Sequence, residues 1–270
     1  MPDPSTSSKS EFIAALPMYD WPECRDEVDA QWAVLSQNLR AAGINAPLQL
    51  VRRNGDMPAV PGGIRDSEGT VIAPDPSSLP PDQLDLHTLW RHPALLYSQT
   101  CWGPMELGLA HHVQVIAQHD YSSVEGGKGN LYRSAIVGRR NENHNDVLPP
   151  SDASPCFRLE SLRGKRLAYN SADSMSGILG LERDLACVVE TLEIFSELVE
   201  TGGHRLSIVA VAEKRADIAA IDCATWQLAK RFEPATEALT VVGWTALRKG
   251  LPFIASKHIP DATLDLMSKI

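Results

Sequence analysis

The chain has 270 residues, of which 43% are hydrophobic and 22% are charged, enough to bury the core of one large domain or two modest ones. Its 25 Lys and Arg residues against 34 Asp and Glu residues give a formal net charge of -9, which opposes binding to the phosphate backbone of nucleic acids. No apolar run approaches the roughly 20 residues of a membrane helix. The composition therefore predicts a protein that binds no nucleic acid and is not embedded in a membrane.

The first ten residues lack the basic, apolar and small-residue regions of a secretory signal. As written, the sequence therefore predicts a cytoplasmic location. Five scattered cysteines without a C-x-x-C pair predict reduced thiols rather than a disulfide framework or a zinc knuckle.

Strand and helix signals alternate along the first 120 residues. Between them, residues 54–81 are crowded with Gly, Pro, Asp and Ser, which predicts an inserted surface loop. Ser78 is expected to start the helix that follows this loop. Strands are predicted at 12–16, 94–98 and 113–117, and helices over 28–42 and 84–90.

A glycine-rich segment from 121 to 130 changes the composition and predicts a domain crossing near residue 120. Beyond it, apolar residues at spacings of three and four from 178 to 199 predict one long helix or two collinear helices. The alternation of elements predicts an α/β protein with two lobes and largely parallel sheets. Further strands are expected at 132–137, 166–170, 218–221 and 239–243, and further helices over 206–212, over 226–232 and from about 261.

Familiar catalytic signatures are missing. Ser122 stands where a Walker A loop needs its first glycine, and His111, His112 and His119 match no known metal-site spacing. The sequence thus predicts no catalytic motif, no metal site and no cofactor.

The strongest local signal is the segment from 170 to 177, where a predicted buried strand is followed by a predicted helix. Ser174, Ser176 and Gly177 lie at the expected helix start, where free backbone N–H groups and the helix dipole favour an anion. Phosphate, phosphonate, sulfonate or carboxylate would suit such a site. Simple capping of the helix by Asp173 or Ser174 explains the same residues equally well.

Other polar residues follow predicted strands or glycine turns. His204 comes after Gly202-Gly203, where it either donates to an anionic oxygen or has a purely structural role. Asp222 ends the strand at 218–221, where it either receives a ligand amine or caps the next helix. In the first lobe, Tyr19, Gln99 and Thr100 occupy corresponding strand ends, where aromatic and hydroxyl groups suit a small ligand.

A series of short motifs, in order over nearly the whole chain, resembles the phosphate/phosphonate-type substrate-binding proteins of ABC transporters. The motifs are LPMYD at 16–20, LW at 89–90, SQTC at 98–101, YRS at 132–134, LRG at 162–164, AYN at 168–170, SMSG at 174–177, TGGH at 201–204, AAID at 219–222 and GLP at 250–252.

This resemblance implies the type II periplasmic-binding-protein fold, in which two α/β lobes hold a ligand in the cleft between them. Lobe one would comprise residues 10–119 and 244–270, and lobe two residues 120–243. The resemblance also implies export, in contrast to the missing signal segment, so the compartment stays open.

The resemblance further assigns ligand contacts. Ser174, Ser176 and Gly177 would hold the anionic head, His204 would assist them, Asp222 would meet an amine, and Tyr19 and Tyr132 would supply aromatic contacts. Met175 stands where phosphonate binders commonly have a hydroxylic residue, so one donor is missing. The motif at 101–104, Cys-Trp-Gly-Pro, also departs from the family's usual Cys-Gly-Tyr-Pro.

The sequence therefore predicts a non-catalytic solute-binding protein for a small anion or zwitterion, partnered by an ABC permease if exported. Two alternatives remain. One is an enzyme of the same fold, with Ser174 or Ser176 as nucleophile, His204 as base and Asp222 as its orienting group. The other is an intracellular ligand sensor. A histidine within hydrogen-bond reach of both a serine and Asp222 would favour the enzyme.

Overall fold

The computed structural model describes residues 12–140 and 146–267. The predictions that touch residues 10–11, 141–145 and 268–270 lie outside the described residues. The chain divides into two compact units. Within the described residues, unit one comprises 12–100, 108–118 and 252–267, and unit two comprises 101–107, 119–140 and 146–251.

Strands and helices alternate through the described residues. The strands are β1 Ile13–Ala15, β2 Ile64–Arg65, β3 Val71–Ala73, β4 Leu95–Gln99, β5 Val113–Gln118, β6 Leu131–Tyr132, β7 Ser134–Arg139, β8 Arg166–Tyr169, β9 Glu197–Glu200, β10 Ile218–Asp222, β11 Leu239–Trp244, β12 Arg248–Lys249 and β13 Pro252–Ser256. The helices are α1 Arg25–Ala41, α2 Leu86–Arg91, α3 Trp102–Glu106, α4 Leu159–Leu162, α5 Gly180–Ala186, α6 His204–Ala212, α7 Cys223–Phe232 and α8 Asp261–Met267. A π-helical turn, Met175–Leu179, leads into α5.

Each unit is built on a mixed sheet. In unit one the strand order is β1-β4-β13-β5, with β1 parallel to β4 and with β13 antiparallel to both of its neighbours. In unit two the order is β11-β7-β10-β8-β9, with β7 antiparallel to β10 and β11, and β8 parallel to β9 and β10. The predicted α/β fold class is confirmed.

The expectation of mainly parallel sheets is wrong in detail. The chain leaves unit one after β5 and returns to it at β13, so no crossover helix within that unit joins these two strands. Parallel neighbours arise from such right-handed crossovers. Without one, β13 lies antiparallel to β5 and β4.

Two segments that the sequence placed in lobe one group with unit two, namely 101–107 and 244–251. The indole Nε1 of Trp102 donates to the carbonyl of Gly250 at 2.7 Å. Arg248 pairs with the buried carboxylate of Asp184, and β12 pairs with β6. These contacts link both segments to the body of unit two.

The long helix predicted from 178 to 199 is wrong in its second half. α5 ends at Ala186, Val189 adopts a left-handed backbone conformation with φ of 60°, and β9 follows as a strand beside β8. Leu181 and Leu185 of the helix share one core with Ile194 and Phe195 of the later segment. The apolar spacing therefore comes from two different elements that face the same core.

The segment 54–81 is more ordered than the predicted surface loop. It contains the antiparallel pair β2 and β3, and the side chain of Asn54 is buried. The helix after it begins later than expected, because Asp85 rather than Ser78 accepts the capping hydrogen bond, from the N–H of Thr88 at 2.7 Å. Within the described ranges, no helix is long and apolar enough to cross a membrane.

Candidate functional site

Unit two gathers four of the predicted residues into one buried cluster. The Oγ of Ser176 lies 2.8 Å from Nε2 of His204, and the same nitrogen lies 3.6 Å from Oδ2 of Asp222. The hydroxyls of Ser174 and Ser176 are 3.4 Å apart. We call Ser174, Ser176, His204 and Asp222 the Ser-His-Asp cluster. All four come from points where a chain segment enters a helix.

Two members of this cluster also cap helices. Ser174 accepts a hydrogen bond from the N–H of Gly177 at 3.0 Å, and Asp222 accepts one from the N–H of Thr225 at 2.9 Å. Capping fixes the rotamer of each side chain. The capping explanation of these residues therefore holds, and it also positions their remaining oxygen atoms in the cluster.

The backbone amides at the helix start are not open in the way that the sequence led us to expect. The N–H of Met175 donates to Sγ of Cys101 at 3.3 Å, and that of Gly177 donates to Ser174. The space beside Gly177 is also filled, since a Cβ built there would lie 1.9 Å from Oδ1 of Asn170. An anion at this turn therefore has to be held mainly by side chains.

Tyr132 places a buried phenol beside the cluster. Its ring stacks on that of Tyr121, with centroids 5.3 Å apart and an interplanar angle of 23°. Burial raises the pKa of Tyr132 well above its usual value of 10.0, and Ser176 lies near enough to offset part of that shift. The hydroxyl nevertheless has no hydrogen-bond partner among the described residues.

His204 is neutral at pH 7. Burial lowers its pKa from the usual value of 6.5, and the neighbouring Asp222 only partly opposes this effect. The Nδ1 atom of the ring is buried without a partner in the described chain, as is Oδ1 of Asn170. Together with the phenol of Tyr132, three buried polar atoms around the 174–177 turn thus lack partners. Such groups are few in native proteins and call for a ligand or a water.

The predicted residues of the first lobe lie in unit one. Gln99 ends β4 and accepts a hydrogen bond on Oε1 from the N–H of Met18 at 3.3 Å, which joins it to the loop that carries Tyr19. Thr100 follows at once and is fully buried, and its Oγ1 has no partner among the described residues. Their role in ligand binding stays a prediction.

Sequence reasoning missed three supporting residues. The sequence predicts a reduced thiol at Cys101 and includes it in the SQTC motif, but does not indicate that its Sγ accepts a hydrogen bond from the N–H of Met175. Ser134 donates to the carbonyl of Ser176 at 2.8 Å, and Asn170 lies against Gly177. Each of the three lies in one of the motifs quoted above, and Asn170 also begins the 170–177 segment that leads into the cluster. In the part of the chain that the structure describes, no group of three or more His, Cys, Asp or Glu residues could hold a metal ion.

The fold is shared with solved binding proteins. PhnD1 from Prochlorococcus marinus (MIT 9301), solved in complex with methylphosphonate, superposes with a TM-score of 0.61 at 16% identity, covering 96% of this chain and 83% of that one. A binding protein component of an ABC phosphonate transporter from Pseudomonas aeruginosa gives 0.56 at 13% identity, over 96% and 73%. A histidine kinase sensor domain with similarity to periplasmic binding proteins gives 0.51 at 15% identity, over 97% and 89%.

These likenesses define the class: the chain has the two-lobed α/β fold of periplasmic binding proteins. The model of the ABC-transporter phosphonate periplasmic substrate-binding proteins matches residues 104–270. The chain belongs to this family, whose members are substrate-binding proteins. Among curated proteins, none is similar enough in sequence to match it.

Proposed function

We propose that this protein binds a small anionic or zwitterionic oxyacid, with phosphonates as the leading class, through the Ser-His-Asp cluster and Tyr132. The ligand's oxygens accept hydrogen bonds from the hydroxyls of Ser176 and Tyr132, and the neutral imidazole of His204 donates its one proton to the oxygen of Ser176. Tyr19, Gln99 and Thr100 are the further contacts that the sequence suggests.

The set of unpartnered polar atoms carries this proposal. A buried donor without an acceptor costs roughly 1–3 kcal/mol, and Tyr132 supplies one such donor within the neighbourhood of Ser176. A ligand oxygen that accepts a hydrogen bond from the Tyr132 hydroxyl removes this cost. The free energy recovered in this way favours binding. The family's role as substrate-binding proteins agrees with this assignment.

The charges in the cluster favour a zwitterion over a simple dianion. His204 is neutral, whereas Asp222 is a buried carboxylate 3.6 Å from it. A doubly negative ligand would lie close to that carboxylate and lose binding energy. An ammonium group on the ligand would instead be attracted to the carboxylate of Asp222 and strengthen binding, because opposite charges attract strongly where little water is present.

The arrangement of Ser176, His204 and Asp222 differs from that of a catalytic triad. In such a triad the carboxylate orients the base through Nδ1 while the serine meets Nε2. Here Ser176 and Asp222 both face Nε2, the carboxylate lies beyond hydrogen-bond distance, and Nδ1 has no partner in the described chain. We therefore propose a receptor rather than an enzyme, one that delivers its ligand to an ABC permease as its family does.

Calorimetric titration with 2-aminoethylphosphonate, methylphosphonate, inorganic phosphate and methanesulfonate tests the proposal. Ser176→Ala removes a hydrogen bond to a charged ligand, worth about 1.5–3 kcal/mol, so phosphonate affinity should fall tenfold or more. Asp222→Asn keeps the helix cap but removes the charge. It should therefore reduce the preference for 2-aminoethylphosphonate over methylphosphonate about tenfold.

Ser207→Ala is the matched control, because Ser207 is a buried serine on α6 whose hydroxyl bonds internally to Thr201 and Gly203. Its phosphonate affinity should equal that of the wild type. Binding that is equally strong in Ser176→Ala and the wild type would refute the site, and failure of every ligand to bind the wild type would refute the ligand class.

A further inference from the structure

A small cavity lies in unit two, and none of its lining residues belongs to the Ser-His-Asp cluster. It has a volume of about 200 Å³ and is lined by Lys128, Arg133 and Ser151 together with two glycines, two prolines and a leucine. Pockets for drug-sized ligands run to roughly 300–1,000 Å³, so this one suits a small ion. None of its described lining residues is acidic.

Arg133 is the unusual member of this lining. The residue is only 3% exposed, and Nη2 donates to the carbonyl of Asp152 at 2.6 Å. Nε and Nη1 are buried and have no partner in the described ranges. A guanidinium carries five N–H donors, and a buried charge without a hydrogen-bonded partner is costly. Two of the three guanidinium nitrogens of Arg133 therefore lack a hydrogen-bond partner among the described residues.

The nearby carboxylates do not complete it. Asp152 attracts the guanidinium through space, but neither Nε nor Nη1 has a hydrogen-bond partner among the described residues, the Asp152 carboxylate included. Asp184 is engaged by Arg248 and by the N–H of Ala246. The missing partner of Arg133 has thus to come from outside these groups.

We infer that this cavity is a second anion site, which takes a small oxyanion such as inorganic phosphate between Arg133 and Lys128. The planar fork of an arginine matches two oxygens of a phosphate or carboxylate group. Lys128 is exposed at the cavity and adds a mobile positive charge. The amides of Gly127 and Lys128 are already paired with Val124 and Leu131, so the two cationic side chains are the groups that recognise the anion.

Titration of the full chain with inorganic phosphate at constant ionic strength tests the inference. The titration is carried out in the Ser176→Ala background, so that binding at the Ser-His-Asp cluster is weakened and the two sites are tested separately. We expect one phosphate per chain in this background. Adding Lys128→Gln should raise the phosphate Kd fivefold or more, and adding Arg133→Met should abolish binding.

Lys165→Gln is the matched control, since it removes the same charge from an exposed position of unit two and should leave the Kd unchanged. Without phosphate, Arg133→Met should melt no lower than its parent, because it removes an unpaired buried charge. Should that variant fail to fold, the inference is overturned. Equal Kd values for the Lys128→Gln chain and its parent, or no phosphate binding at all, would also overturn it.

Discussion

His204 combines burial, neutrality and a hydroxyl contact in one ring. Its side chain is 12% exposed, and its Nε2 meets Ser176 at 2.8 Å. A neutral imidazole is both a donor and an acceptor. It can therefore donate to the oxygen of Ser176 and leave that hydroxyl free to donate to a ligand, without the cost of burying an additional charge.

The buried state of His204 makes stability depend on pH. The unfolded chain protonates this histidine near pH 6.5, whereas burial lowers its pKa in the folded protein. As the pH falls below about 6.5, the unfolded state therefore takes up more protons, and the free energy of unfolding falls. His204→Gln removes this contribution.

The advantage of the wild type over His204→Gln should thus shrink as the pH falls below the unfolded value. Urea unfolding at pH values between about 7.5 and 5 measures this difference. His92 and His119, whose pKa values burial also lowers, titrate in both proteins and cancel in the comparison. A difference that is independent of pH would contradict the assignment.

Sequence alone found Ser174, Ser176, His204 and Asp222 because each lies where a glycine turn or a strand leads into a helix, which is a local signal. It could not find the partner of the amide of Met175. Cys101 is 74 residues away along the chain, and only the packing of unit two brings it to the helix start. Because such long-range contacts cannot be seen in the sequence, the sequence predicts free backbone N–H groups at the 174–177 helix start, whereas the N–H of Met175 is paired.

In the segment after α5, the spacing of apolar residues predicts the wrong secondary structure. Spacings of three and four predicted helix through residue 199, but the backbone turns at Val189, whose side chain is 95% exposed and whose φ is 60°. No sequence pattern marks this residue, since a β-branched side chain rarely adopts that conformation. The strong α1 prediction succeeded because Trp32 and Leu39 face one core from a single uninterrupted helix.

Val189→Asn should stabilise the protein. A left-handed conformation costs an ordinary residue roughly 1–2 kcal/mol, and asparagine tolerates it better. We expect a gain of about 0.5–1 kcal/mol in the free energy of unfolding, measured by urea denaturation. Val188→Asn is the control at the adjacent exposed position, which has no positive φ, and it should bring no gain. Equal effects of the two substitutions would show that Val189 is not strained.

At the scale of the whole molecule, the net negative charge of the chain opposes long-range attraction of an anion. The formal net charge of -9 repels a negative ligand at distances where salt does not screen it. Affinity therefore has to come from short-range hydrogen bonds made by a few buried side chains. The family membership and the fold agree with such a receptor, and we propose the donors of the Ser-His-Asp cluster as the necessary contacts.

Histidine side-chain NMR during a titration with 2-aminoethylphosphonate observes these contacts themselves. The chain has 8 histidines, and His204→Gln identifies the signal of His204. We predict that the His204 resonances shift and saturate at one ligand per chain, and that Ser176→Ala weakens this response at least tenfold. Saturable binding that leaves the His204 resonances unchanged would contradict the proposed site.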